Sequence, residues 1–339
     1  MPIRIGKGTI SLPEGVYINS SAGVAGKKEK EGPLGEEFDI AFNNDKLGME
    51  SWEKAESELQ KTAVSTMLEK AGLTAADIDV IFAGDLLNQC MSSTYGLREL
   101  GIPLLGQFGA CSTMAQTLAV SAVFAASGAA DRAAAVTSSH FCTAERQFRM
   151  PIDYGGQRSP TAQWTVTGAG AALVSRTPSP VRIESLTVGR INDLKVKDAT
   201  NMGAAMAPAA ADTLLRFLAD TDTVPQSYDL ILTGDLGKTG TALFRELMLR
   251  HGADVSQNHN DCGLMIYDLD AQDVHSGGSG CGCSASVFCS YIMRRIEKGE
   301  LKSVLFIATG ALMSPTASQQ GESIPSIAHL LFVTSQGDL

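Results

Sequence analysis

An internal repeat constrains this chain more than any other feature of its sequence. Ile78-Asp79-Val80-Ile81-Phe82-Ala83-Gly84-Asp85-Leu86 recurs 150 residues later as Tyr228-Asp229-Leu230-Ile231-Leu232-Thr233-Gly234-Asp235-Leu236. In each copy an apolar, strand-like run ends in Gly-Asp. A second landmark repeats in the same order: Cys111-Ser112 lies 26 residues before Thr137, and Cys283-Ser284 opens a segment in which Cys283 lies 26 residues before Thr309. Doubly wound α/β chains repeat strand, turn and helix generically, but the paired Gly-Asp and Cys-Ser landmarks go further. The pattern predicts two fused, equivalent halves, one over 1–185 and one over 186–339. A pocket is expected at their junction, around Cys111.

Local signals fill in the elements. Ser51 is placed to cap a helix running to Ala71, with Trp52, Ala55, Leu59, Ala63, Met67 and Ala71 on one face and Gly72 as its stop. Strands are predicted over 78–83, 102–108 and 133–136, with an apolar helix from Cys111 to near Gly128 between the last two. In the second half a helix opens at Cys283 and ends near Gly299, and a strand over 303–308 runs into Thr309-Gly310-Ala311. This alternation predicts an α/β fold with a largely parallel, covered sheet.

Composition excludes some functions. The formal charge is −10, and the densest cationic stretch, Lys27-Lys28-Glu29-Lys30, is interrupted by an acid. No basic stripe suits a nucleic-acid partner, so none is expected. The N-terminus lacks the basic-then-apolar order of a signal peptide, and the run 111–130 carries Ser, Thr and Gln, as a buried helix does. The chain is therefore expected to be soluble, with its seven cysteines as reduced thiols.

Several residues could carry chemistry. Cys111, at a strand-to-helix turn, would have its thiol pKa lowered by a helix N-terminus and act as a nucleophile; a small buried cysteine is the plainer reading. Cys283 holds the corresponding place in the second half. The Gly-rich segment 276–284 ends without a Lys, unlike a Walker loop, and its Cys-x-Cys lacks zinc-knuckle spacing, so no metal is expected. Its glycines instead suggest close backbone approach to a ligand or to the other half. His140 follows a strand end, where open α/β sheets present residues to a site, and His259-Asn260-Asp261 is a dense polar cluster. Asp85 and Asp235 are read as caps rather than pocket acids. Glu145 and Arg149 have i,i+4 spacing and, with Arg146, form either a salt-bridged surface or a source of cations for an anionic ligand.

Longer motifs carry a resemblance. Gly109-Ala110-Cys111-Ser112-Thr113 in a duplicated α/β chain looks like the thiolase and ketoacyl-synthase superfamily. Ala83-Gly84-Asp85-Leu86-Leu87-Asn88-Gln89, Thr143-Ala144-Glu145-Arg146-Gln147-Phe148-Arg149, Met206-Ala207-Pro208-Ala209-Ala210-Ala211-Asp212, the segment 259–267 and Ser323-Ile324-Pro325 resemble the stage V sporulation protein AD family of spore-forming bacteria, over nearly the whole chain. The resemblance implies a thiolase-like fold, layered helix-sheet-helix-sheet-helix. It also implies a protein that binds dipicolinic acid (pyridine-2,6-dicarboxylate) and acts with membrane subunits of a spore transport assembly in its uptake and release. The chain would then lie peripheral to the spore inner membrane through those partners, with homodimerisation by analogy, no resident cofactor, and calcium entering only as the dipicolinate salt.

Ketoacyl-synthase III enzymes pair their cysteine with His and Asn. The positions that resemblance assigns to them here hold Asp235, after Thr233-Gly234, and Cys281. Catalysis is therefore not expected; acyl transfer from Cys111 is the alternative. Dipicolinate is a dianion, and two helix N-termini offer amide donors to carboxylates. Cys111, Ser112, Cys283 and Ser284 are thus expected to contribute to binding, with His140, Arg146 and His259-Asn260-Asp261 completing the polar wall.

Overall fold

The computed structural model describes residues 1–149 and 157–337. Among the described residues the main sheet has thirteen strands, ten of them on its continuous path and three short ones, Ile3–Ile5, Thr9–Ser11 and Ile40–Ala41, paired off it. In the first half those on the path are β1 (Tyr17–Ala25), β2 (Val80–Gly84), β3 (Leu104–Gly106), β4 (Arg132–Ser139) and β5 (Gly168–Ser175). In the second they are β6 (Val181–Thr187), β7 (Leu230–Thr233), β8 (His259–Asp261), β9 (Ser303–Ala311) and β10 (Ser326–Ser335). From the centre outwards the first half runs β1-β5-β4-β2-β3 and the second β6-β10-β9-β7-β8. Each position in one half has its counterpart five strands later in the other. The sequence repeat is thus a repeat of topology; β6 meets the first half at Arg182 with Tyr17 of β1 and over Ser185–Thr187 with Thr9–Ser11.

The sheet is mixed, which corrects the largely parallel expectation. Only β4-β2-β3 and β9-β7-β8 are parallel; β5 and β10 run antiparallel to both neighbours. Each closes its half without a long helical crossover, so strand–helix alternation does not apply to it. The boundary drawn between residues 185 and 186 falls inside β6. Strand β3 is shorter than the predicted 102–108, beginning only after Pro103, which has no amide to give the ladder.

Helices form three layers around the sheet halves. On the first half lies α1 (Trp52–Ala71), whose start Ser51 caps through its side chain and whose end is the left-handed Gly72. Leu59, Ala63 and Met67 pack it on Ile81, Ala134 and Ala171. On the second lie α2 (Met202–Thr221) and α3 (Gly237–Arg250), with Met206, Leu214 and Phe217 against Ile231, Leu305 and Leu330. Between the halves run the helices Thr113–Ser127 and Cys281–Val287, the latter continuing through a π turn over Phe288–Ile292. Their Met114, Leu118 and Ala285 meet Ala135 and Val174 of one half and Phe306 and Leu331 of the other. This is the thiolase-like layering.

The stretch Ala110–Ser127 is long and apolar enough to cross a membrane, but 72% of it is buried inside the fold. It is a core helix, and its Ala and Ser side chains explain how the two halves of the sheet close on it.

Candidate functional site

The halves approach closely at Cys111. Ala110 adopts a left-handed φ of +52°, and the turn is locked by Ser112 Oγ donating to the Gly109 carbonyl at 2.6 Å and Thr113 Oγ1 to the Ala110 carbonyl at 2.5 Å. The helix therefore starts at Thr113, and Cys111 sits just ahead of it. From the other half, β9 crosses at Gly310, where a Cβ would lie 2.3 Å from the Gly109 oxygen. Gly282 is equally tight, 2.3 Å from the Gly168 oxygen. The Gly-rich segment serves close approach between halves, as one of its two expected uses.

A small cavity opens beside the thiol. Leu86, Phe108 and Phe148 line it from the first half, Met202, Ala311 and Met313 from the second, with Cys111 and Arg149 among them. Its volume is about 20 Å³, room for one water. A ring-sized ligand enters only when flexible walls such as Phe148 and Met313 move.

Behind the cavity lies a buried polar relay. Arg149 Nη2 donates to Ser279 Oγ at 2.8 Å, and Ser279 Oγ donates to Asp235 Oδ2 at 2.9 Å. Asp235 also accepts from the Gly280 amide at 2.9 Å and from Thr309 Oγ1 at 2.7 Å. Cys111 Sγ is 3.9 Å from the same Ser279 hydroxyl. Burial pushes the Cys111 thiol well above its ordinary pKa, and the nearby Asp235 carboxylate pushes it further, with Arg149 opposing. Desolvation and a neighbouring anion therefore act against the lowering expected from a helix N-terminus. Burial likewise raises Asp235 and lowers Arg149.

The other predicted residues are placed elsewhere or face inwards. His140 caps the short helix Phe141–Gln147, its Nδ1 accepting from the Cys142 amide at 3.1 Å, and its Nε2 is 2.8 Å from the Asp45 carbonyl. Arg146 is exposed and pairs with Glu53 at 3.1 Å. Glu145 pairs with Arg158, not with Arg149. His259 is held between Thr233 Oγ1 at 2.9 Å and Arg245 Nε at 3.1 Å, and burial pushes its pKa down to about 3. Asn260 is exposed, with Oδ1 accepting from the Asp261 amide. Asp261 accepts from the amides of Leu236 and Gly237 at the start of α3.

Those Asp261 bonds explain why Asp235 differs from its counterpart. Asp85 is a cap as expected, accepting from the Leu87 and Ser93 amides. In the second half Asp261 takes the amides of the corresponding turn, which leaves Asp235 to the cavity side. Cys283 and Ser284 are fully buried and bonded to the carbonyls of Gly234 and Cys281; Cys281 instead packs with Cys111, Leu86 and Phe148. The helix opens at Cys281, two residues earlier than predicted, and the Gly282 amide is taken by Ser139 Oγ. The amides of Ser112 and Thr113 are taken by Gly109 and Ala110. Of the predicted set, only Cys111 lines the cavity. Arg149, Asp235 and Ser279 are the polar groups around it. The first two were visible in sequence as an i,i+4 partner and a repeated strand-end acid; for Ser279 the only signal was the glycine-rich loop.

The family profile described as Stage V sporulation protein AD (SpoVAD) matches residues 6–334. Stage V sporulation protein AD of Bacillus subtilis (strain 168) is 48% identical over 324 residues, covering 96% of each chain. Among solved structures, 3-oxoacyl-[acyl-carrier-protein] synthase III from Aquifex aeolicus VF5 superposes with a TM-score of 0.59 at 12% identity, over 94% of this chain and 100% of its own. Cerulenin-bound OleA of Xanthomonas gives 0.60 at 14%, over 94% and 98%. At such identities these structures establish the thiolase-like fold alone.

Proposed function

Because the chain belongs to the stage V sporulation protein AD family, we propose that it is a sporulation protein whose junction cavity binds dipicolinate without catalysis. One observation carries the reading. Arg149 is half-buried and lines an otherwise apolar cavity, and its buried Nε has no hydrogen-bond partner among the described residues. A planar, doubly charged aromatic acid matches that combination: a carboxylate on the guanidinium, the ring between Phe108, Phe148 and Met313. The expanded cavity would accept it at the cost of moving side chains, which flexible Met and Phe rotamers allow.

The absence of catalysis is argued from Cys111. Its thiol is held protonated, and the neighbouring positions carry Asp235 and Cys281 where a condensing enzyme has His and Asn. The competing reading, acyl transfer from Cys111, rests on that thiol's place at the junction. Incubation with acyl-coenzyme A donors followed by intact mass separates them, since a stable adduct on Cys111 supports the enzyme.

In this reading the protein works with membrane subunits of a spore transport assembly, in uptake of dipicolinate during sporulation and its release on germination, peripheral to the inner membrane. A homodimer would form along the edge strand β3, where Leu104, Leu105 and Phe108 are 37%, 48% and 52% exposed. Calorimetric titration with dipicolinate, with and without calcium, tests the central claim. Saturable one-site binding supports it; no heat and no competition under either condition refutes it.

A further inference from the structure

A second, cationic cleft lies far from Cys111. It is formed by the N-terminal hairpin (Ile3–Ile5 and Thr9–Ser11), the turn after β6, and α2. Arg4, Lys7, Arg190 and Arg216 line a volume of about 390 Å³, and no carboxylate is among the lining groups. Helix α2 links the two places. Met202, its first residue, lines the junction cavity, and Arg216 lies 14 residues on, roughly 20 Å along the axis at 1.5 Å per residue.

The acids near this cleft are committed to other tasks. Asp220 accepts from the amides of Lys7, Gly8 and Thr9 at 2.8, 2.8 and 3.0 Å, which fixes the hairpin turn. Asp212 pairs with Arg190 and lies 3.8 Å from Arg216, and Asp193 pairs with Lys195 at 2.8 Å. Among the described residues Arg4 donates only to the Lys7 carbonyl, at 2.9 Å. Arg4 and Lys7 are exposed, so the face keeps excess positive charge in a chain of net −10. Val188 lines the cleft, Ile3 and Ile191 directly adjoin the lining residues Arg4 and Arg190 in the chain, and Leu194 follows four residues after Arg190; the four are 48%, 53%, 67% and 67% exposed.

We infer that this face rests on an anionic phospholipid bilayer, with phosphate headgroups in the cleft and the four aliphatic side chains in the interfacial layer. Guanidinium forks match phosphate oxygens, and each Lys or Arg near an anionic surface contributes about 1 kcal/mol. The acidic remainder of the chain does not cancel this, because charges beyond a Debye length of about 8 Å are screened. The aliphatic residues argue for lipid over an acidic protein. They are interleaved with cations, as Ile3 beside Arg4 and Ile191 beside Arg190, whereas a protein interface has a contiguous core depleted of charge. The inference stands independently of what the junction cavity binds.

Sedimentation of the full chain with vesicles tests it. The protein should pellet with phosphatidylglycerol–phosphatidylcholine vesicles and not with phosphatidylcholine alone. Lys7→Glu with Arg190→Glu should weaken this about tenfold or more, with melting temperature unchanged because both side chains are exposed. Ile191→Ser with Leu194→Ser should remove the binding that persists at raised salt. Failure to prefer phosphatidylglycerol overturns the inference, as does equal binding by both variants. So does binding that the serine pair leaves intact while glycerol phosphate displaces it, which marks a site for free anions.

Discussion

Arg149 and Asp235 are joined through a single hydroxyl, that of Ser279, which accepts from the guanidinium at 2.8 Å and donates to the carboxylate at 2.9 Å. The two charges lie on the same relay without a direct ion pair. Asp235 is held by donors from its own half, Thr309 and Gly280, while Arg149 donates through Nη1 to the Gln163 carbonyl and keeps one donor, Nε, without a partner among the described residues.

Arg149→Met should lower dipicolinate affinity roughly 10- to 100-fold, the range for losing a hydrogen bond to a charged group of about 1.5–3 kcal/mol. Arg149→Lys should recover only part, because an ammonium cannot reproduce the fork. Calorimetry on variants with native circular dichroism reads both. Undiminished affinity in the Met variant would remove Arg149 from the site.

Cys111 should resist alkylation by iodoacetamide at neutral pH, since burial and Asp235 both keep it a thiol. Asp235→Asn removes one of those two causes and should speed modification. Peptide mass mapping over a pH series gives the rates. Rapid labelling of native Cys111 near pH 7 would restore the nucleophile reading.

Glu29 is buried, with Tyr267 Oη and the Thr167 amide donating to one oxygen and the other oxygen without a partner among the described residues; burial raises its pKa to about 7. The folded state therefore binds a proton that the unfolded chain releases near its ordinary 4.5. This contribution to stability is complete below about 4.5 and is lost as pH rises through about 7. Glu29→Gln should flatten that part of the profile, so that the variant gains on the parent between acidic and neutral pH. Melting temperature against pH checks it, and parallel curves would show that Glu29 does not titrate there.

Gly310→Ala should destabilise the protein by about 1–3 kcal/mol, the cost of overpacking a closed interior. The added Cβ would meet the Gly109 oxygen at 2.3 Å and the Cys111 amide at 3.3 Å. Dipicolinate affinity should fall with it, because the Cys111 turn must shift. Denaturant unfolding measures the first effect and calorimetry the second. A variant as stable as the parent would mean that the halves close less tightly here.

Much of the fold was readable before any coordinates. Ser51, Gly72 and Gly128 bound their helices as local backbone chemistry requires. The repeated Gly-Asp landmarks fall at the ends of β2 and β7, which hold equivalent positions in the two halves. The antiparallel β5 and β10 were not readable, because direction is set by the chain's return path. Of the residues expected to bind, only Cys111 lines the cavity, while Arg149 was legible only as an i,i+4 partner or a source of cations. His140, His259 and Asp261 have the residue types of a polar wall, yet each is fully engaged by local backbone or neighbouring side chains.

The sequence by itself determined the duplicated order of strands and helices and the place where the halves meet, since periodicity, caps and repeats are properties of neighbouring residues. Only the tertiary structure decided what faces the cavity at Cys111. Asp235 could leave its cap because Asp261, 26 residues on, took the amides of Leu236 and Gly237. Arg149 rather than Arg146 turned inwards because Glu53, on a distant helix, holds Arg146 at the surface. Such choices are competitions among partners brought together by folding, and burial then sets the charge state of whatever group prevails.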